Sequence, residues 1–240
     1  MAEQLPLPLP ADASFARADL IADASNAQAL AFLATPDAWP LRRLALHGAA
    51  GVGKTHMLRA FTPGWRLLAG PSLTMAEALA PPAPTALDEA EAAPEDALFH
   101  LINRCAEAGQ PLLLAARTPP ARWPTALPDL QSRLRATTAL GIGPPGEALL
   151  EALLSKHLAD RQLRMDPPAR AFLLARLPRR AAAVAQAVAR LDHASLAEGA
   201  ALTRPFVARA LADLLAPEES GDEGSVTAPI LPSPPAPARG

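Results

Sequence analysis

No tyrosine occurs in these 240 residues, and all aromatics together make up only 4% of them. Base-stacking platforms for single-stranded nucleic acid need such rings, so that class is excluded. A basic excess is missing too. Lys and Arg number 22 against 24 Asp and Glu, a formal net charge of −2, whereas proteins that coat phosphate backbones carry a strong positive surplus. The single cysteine, Cys105, can close no internal disulfide and form no cysteine-rich zinc site. It falls in an apolar helical pattern running from Leu98 and reads as a buried thiol. No run of about 18 apolar residues is present, so no membrane helix is expected. No basic residue precedes an apolar run at the N-terminus, so no signal peptide is expected. A cytoplasmic protein without membrane contact follows from these absences. Lysine is nearly absent as well: Lys54 and Lys156 stand alone among arginines, which raises the information carried by their positions.

Half of the chain is apolar, enough for a sizeable core, while 28 prolines demand linker or tail segments. The pattern divides into four pieces. Residues 1–13 form a short, proline-broken arm. Residues 14–145 alternate strand-like and helix-like runs, the mark of an α/β layered domain. Strands are expected at Arg43–His47, Trp65–Ala69, Pro111–Ala116 and Thr137–Ile142, with a short one at Thr85–Leu87 squeezed by Pro81, Pro82 and Pro84. Residues 146–215 are helical throughout. Asp166-Pro167 starts one helix, Ala181 to Leu196 makes another, and Thr203 caps a last one from Pro205 to Leu215. Residues 216–240 are rich in Pro, Ser, Glu and Gly and read as a disordered tail.

The strongest motif is Gly48-Ala49-Ala50-Gly51-Val52-Gly53-Lys54-Thr55, which fits G-x-x-x-x-G-K-[ST] between a strand and a helical run. Gly48, Gly51 and Gly53 let successive N–H groups curl around phosphate oxygens, and the following helix adds its positive end. Lys54 reaches the β- and γ-phosphates, and the Thr55 hydroxyl takes Mg²⁺. A second metal-holding carboxylate is expected at the end of a neighbouring strand. Asp88 is the candidate, with Glu89 beside it to polarise water.

Further segments carry a resemblance. Ser14-Phe15, Asp19-Leu20-Ile21 and Ser25-Asn26-Ala27-Gln28-Ala29 resemble the opening of the AAA+ module of the DnaA-related proteins. Leu127 to Leu134, Leu191 to Ser195 and Leu202 to Val207 are closer still to the Hda group within that family, the regulators that switch the initiator off. The resemblance spans residues 14–215. It implies an AAA+ P-loop αβα domain with a parallel sheet, then a small all-helical lid. It also implies ADP or ATP with Mg²⁺, held by the phosphate loop, His56 and a lid arginine. The lid arginine's usual place falls on Ala182, and Arg179, one turn earlier, is the substitute. The polar position after the Leu112 strand falls on Arg117 or Thr118, where the related regulators more often carry an acid.

The arm gains meaning from the same source. Gln4-Leu5-Pro6-Leu7-Pro8-Leu9 is similar to the peptide with which Hda-type proteins dock on the DNA polymerase III sliding clamp (its beta subunit). Gln4, Leu5, Leu7, Pro8 and Leu9 form that contact, the prolines lowering the entropy lost on binding. Arg133 stands where the family places an arginine finger, which stabilises charge on a neighbour's nucleotide. The function implied is negative regulation of replication initiation: clamp-held protein promotes hydrolysis of ATP on DnaA, its own turnover being weak. The family resemblance admits a homo-oligomer. DnaA proteins continue into a helix-turn-helix domain. Here an acidic, proline-broken tail follows, so strong direct DNA binding is not expected. Two alternatives stay open: an autonomous AAA+ ATPase of the helicase-loader kind, and a DnaA paralogue that binds origin DNA.

Overall fold

The structure, a computed structural model, describes residues 16–215. The arm residues Gln4 to Leu9 and the acidic tail lie outside the described residues. Five strands, β1 (Arg43–His47), β2 (Arg66–Ala69), β3 (Thr85–Asp88), β4 (Leu112–Ala116) and β5 (Thr138–Gly141), form one parallel sheet in the order β2-β3-β4-β1-β5. The register sets Leu44 of β1 beside Leu113 of β4 and Thr138 of β5. Central β4 reads Leu-Leu-Leu-Ala-Ala and is wholly buried. A parallel sheet covered on both faces needs such an uninterrupted apolar run rather than alternation.

Five helices complete this domain: α1 (Ala27–Leu33), α2 (Lys54–Phe61), α3 (Met75–Leu79), α4 (Glu95–Glu107) and α5 (Pro128–Arg135). Period-two alternation sorts the strand residues onto two cores. Leu112 and Leu114 face Leu98, Leu101, Ile102 and the buried Cys105 of α4. Leu113 and Ala115 face Met57 and Leu58 of α2 and Trp39. The prolines before β3 shorten it without abolishing it. Pro84 needs no N–H there, because it serves only as acceptor for the Arg66 N–H at 2.9 Å.

Beyond β5 come α6 (Glu147–Asp160), α7 (Pro167–Leu174), α8 (Ala181–Glu198) and α9 (Arg204–Ala210). They share a separate core of Leu150, Leu154, Leu173, Val184, Val188, Leu191 and Phe206. Asp166 caps α7 as its sequence position requires, its carboxylate accepting from the Ala169 N–H at 2.7 Å. Thr203 departs from expectation. It occupies the N-cap position of α9 but its side chain makes no capping bond, and the helix stops at Ala210 rather than Leu215. Pro205 lies in the first turn and lacks one of the two N–H groups a cap could bind.

The hinge between the two units is tied to the N-terminal segment. The Asp23 carboxylate accepts from the Gly146 N–H at 3.1 Å and the Ser25 N–H at 2.9 Å. Gly143 in turn donates to the Ser25 carbonyl. Among the described residues no helix is long and apolar enough to cross a membrane.

Candidate nucleotide-binding site

All strands of a parallel sheet end at one edge, and there the crevice for a ligand forms. β1 delivers the phosphate loop, β3 delivers Asp88 and Glu89, and β4, which lies between them, delivers Arg117. These residues line a cleft of about 160 Å³ with Gly51, Lys54, Thr55 and Glu91. Backbone conformation explains the glycines at two points. A Cβ on Gly48 would stand 2.4 Å from the Ile142 carbonyl oxygen, and Gly51 has φ +79.

Lys54 opens α2 and folds back over its own loop, donating at 2.8 Å to the carbonyls of Gly48 and of Ala49. Burial pulls its ammonium below the ordinary pKa, while Asp88 and Glu91 pull the other way. The Thr55 hydroxyl donates to Asp88 Oδ2 at 2.7 Å, so the two oxygen ligands expected for a metal are brought together from strands two positions apart. Asp88 Oδ1 accepts the Glu89 N–H. Glu89 itself sits in the left-handed region at φ 50, a conformation costly for a non-glycine residue and concentrated at functional sites.

Three features escape sequence reasoning. Glu91 reaches the cleft, one carboxylate oxygen accepting the Arg117 N–H at 2.7 Å and the other buried without a hydrogen-bond partner. The lid rests directly on the phosphate loop: the Ala182 N–H donates to the Gly51 carbonyl at 3.2 Å. A Cβ on Gly51 would meet Ala182 Cβ at 3.3 Å and Arg180 Cβ and Cδ at 3.4 Å. Arg180 therefore lies over the loop at Gly51, whereas Arg179 beside it is exposed; neither lines the cleft itself. Glu91 and Arg180 have no motif of their own; only tertiary placement reveals them. His56 does not reach the cleft. It is half-buried, bonded to the Ala16 backbone, and burial holds its pKa below 6.5.

Loop, lysine and the Thr55–Asp88 pair fit a polyphosphate with Mg²⁺. The Glu91 oxygen without a partner is the kind of buried acceptor that a metal-bound water satisfies.

Arg133 lies elsewhere. It sits on α5, its Nε donating to Asn103 Oδ1 at 2.5 Å, its guanidinium 4.8 Å from the Phe99 ring centroid. The Arg133 carbonyl accepts from Arg43 at 2.9 Å. Its side chain is half-buried and lines a surface groove with Leu41 and Ser132.

Residues 147–211 match the family model of the Hda lid domain. The chain is similar in structure to domain III of the replication initiation protein DnaA from Thermotoga maritima. The TM-score is 0.72 at 16% identity, covering 85% of this chain and 98% of that one. A replication initiator DnaA bound to AMPPCP and single-stranded DNA matches at TM-score 0.62 and 14% identity, over 77% of this chain and 68% of that one. The Thermotoga maritima RuvB Holliday junction branch migration motor matches at 0.65 and 16%, over 84% and 72%. Its lid matches the Hda lid, and its fold is that of DnaA domain III. The five-stranded parallel sheet and helical lid expected from the sequence are its fold. In this Hda-like lid, Ala182 stands against Gly51 with only a methyl group, which lets the helix settle onto the loop backbone.

Proposed function

We propose that this chain regulates replication initiation by docking on the sliding clamp through Gln4, Leu5, Leu7, Pro8 and Leu9 and presenting Arg133 to ATP bound by DnaA, whose hydrolysis it promotes. The observation that carries this reading is the position of Arg133. Its carbonyl is bonded to Arg43 at the start of β1, whereas the phosphate loop follows His47 at the end. Four strand steps separate those ends by about 13 Å, so Arg133 faces away from its own nucleotide cleft. Asn103 and the Phe99 ring hold the guanidinium in place, which lowers the entropy lost when it meets an anion.

In its own cleft, Gly48, Gly51, Gly53, Lys54 and Thr55 hold ADP or ATP, Asp88 joins Thr55 at Mg²⁺, and Arg180 or Arg179 meets the phosphates from the lid. Mg²⁺ held there would supply charge neutralisation for the phosphates. Glu89 orients water, weakly enough that the bound nucleotide serves as a conformational prop. The protein works in the cytoplasm, on a clamp and an initiator, and its lid leaves DNA alone.

Clamp pull-down with the Gln4→Ala/Leu7→Ala double variant tests the docking half. Retention should fall to background, and undiminished retention removes the arm from the account. A second reading, an autonomous ATPase, draws on the Thr55–Asp88 pair with Glu89 in the cleft. Purified protein turning over ATP faster than about one per second would favour it.

A further inference from the structure

The lid places its arginines unevenly. Arg161, Arg170, Arg190 and Arg209 each sit against a carboxylate, those of Asp192, Glu151, Asp213 and Glu198. Arg176 and Arg204 have no such partner among the described residues. Both instead stack on Phe172, their guanidinium carbons 4.3 and 5.3 Å from its ring centroid. They are therefore within about 10 Å of each other, one Debye length at 0.1 M salt. Both side chains are exposed, at the end of α7 and the start of α9. Arg164 adds to the same corner, since its neighbour Met165 pairs through the backbone with Leu202.

Two like charges held on one ring repel each other, and each keeps N–H edges available for an oxygen acceptor. The arrangement suits a bridging anion. A carboxylate ladder is a better match than a lone ion, because two guanidiniums on one ring offer two separate sets of N–H donors.

The chain itself supplies that ladder. The last described residue is Leu215, and Glu218, Glu219, Asp222 and Glu223 follow within eight positions. Eight extended residues span about 26 Å, while Leu215, turned back onto the Leu211 carbonyl, stands about 17 Å from Arg204 at helical rise. The acids thus reach Arg176 and Arg204 with length to spare. We propose that residues 218–223 dock on the Arg176–Phe172–Arg204 face of the lid, an acidic clasp held within the chain. Bound there, the clasp shields the lid's exposed cations from phosphate backbones and from acidic partners, and it ties the C-terminal segment to the nucleotide-closing subdomain. The proposal needs neither the clamp contact nor the role of Arg133.

The test uses the full chain with a nitroxide on Ser225→Cys, Cys105 being buried at 2% exposure. Paramagnetic broadening of lid amides is read at about 50 mM and about 500 mM salt. Broadening should centre on Phe172, Arg176 and Arg204, fall at least twofold at the higher salt, and vanish in Arg176→Glu/Arg204→Glu. It should return when that pair is combined with lysines at 218, 219, 222 and 223. Absence of broadening at low salt, or broadening indifferent to charge reversal, overturns the clasp. So does tight binding of a duplex of about 20 base pairs by the full chain at low salt, if Arg176→Glu/Arg204→Glu weakens it tenfold, since nucleic acid would then hold the face with the tail present.

Discussion

Lys54 donates two hydrogen bonds to its own loop and is one of only two lysines in the chain. Charge-assisted bonds of this kind contribute about 1.5–3 kcal/mol, so Lys54→Ala should weaken ADP binding roughly 10- to 100-fold by calorimetry. Because the same bonds brace the empty loop, the thermal midpoint without nucleotide should fall as well, by a few degrees. Gly51→Val is different. It forces a branched side chain into a left-handed conformation against Ala182 and should cost about 1–3 kcal/mol in urea unfolding while also opening the lid contact. The phosphate loop was legible from the sequence because its chemistry is local: eight consecutive residues carry it. Glu91 was not, since it enters through the fold, by way of a bond to the Arg117 backbone twenty-six positions away. Arg180 is a case of phase. Whether residue 179 or 180 meets the loop depends on where α8 begins, and that start is set by the Ala182–Gly51 bond rather than by any cap residue.

Among the elements, the apolar runs announced the strands well. Thr85–Leu87 was recognisable even behind three prolines, because a parallel strand with both faces covered stays apolar to its end. The cap at Thr203 was misleading for the opposite reason: residue type alone does not show which N–H groups the first turn still offers. The hinge gives a pH-dependent prediction. Burial pushes the Asp23 pKa up, but bonds from Ser25, Gly146 and Asn26 outweigh it and hold the group below 3.8. Stability from this group is present above 3.8 and lost as pH falls further. Three half-buried histidines act sooner. Burial lowers His47, His56 and His157 below 6.5, with nearby cations such as Lys54 and Lys156 adding to it. The folded state thus binds fewer protons than the unfolded one. Its stability is full above pH 6.5 and declines as pH falls below. The melting midpoint should be lower at about pH 5.5 than at about pH 7.5, and a higher midpoint at the acid value contradicts the assignment. Asp23→Ala should leave the histidine dependence in place while removing the further loss below 3.8.

At the scale of the whole molecule, one parallel sheet separates two chemistries. The strand ends gather the phosphate loop, Asp88 and the lid, while the strand beginnings carry Arg133, Asn103 and Arg43. A single subunit therefore sets the phosphate loop on one side and the Arg133 guanidinium on the other, the arrangement that the proposed action on a second ATP-binding subunit needs. That division follows from the β1 register; the sequence offered only the resemblance that places an arginine finger at Arg133. The decisive measurement is single-turnover hydrolysis of ATP preloaded on DnaA, with clamp and either the unaltered chain or Arg133→Ala. Arginine fingers supply about 10³ to 10⁵ in rate. The account predicts that the variant loses at least a hundredfold of the stimulation while binding ADP and clamp as before. Stimulation by Arg133→Ala within a few-fold of the unaltered chain would contradict it.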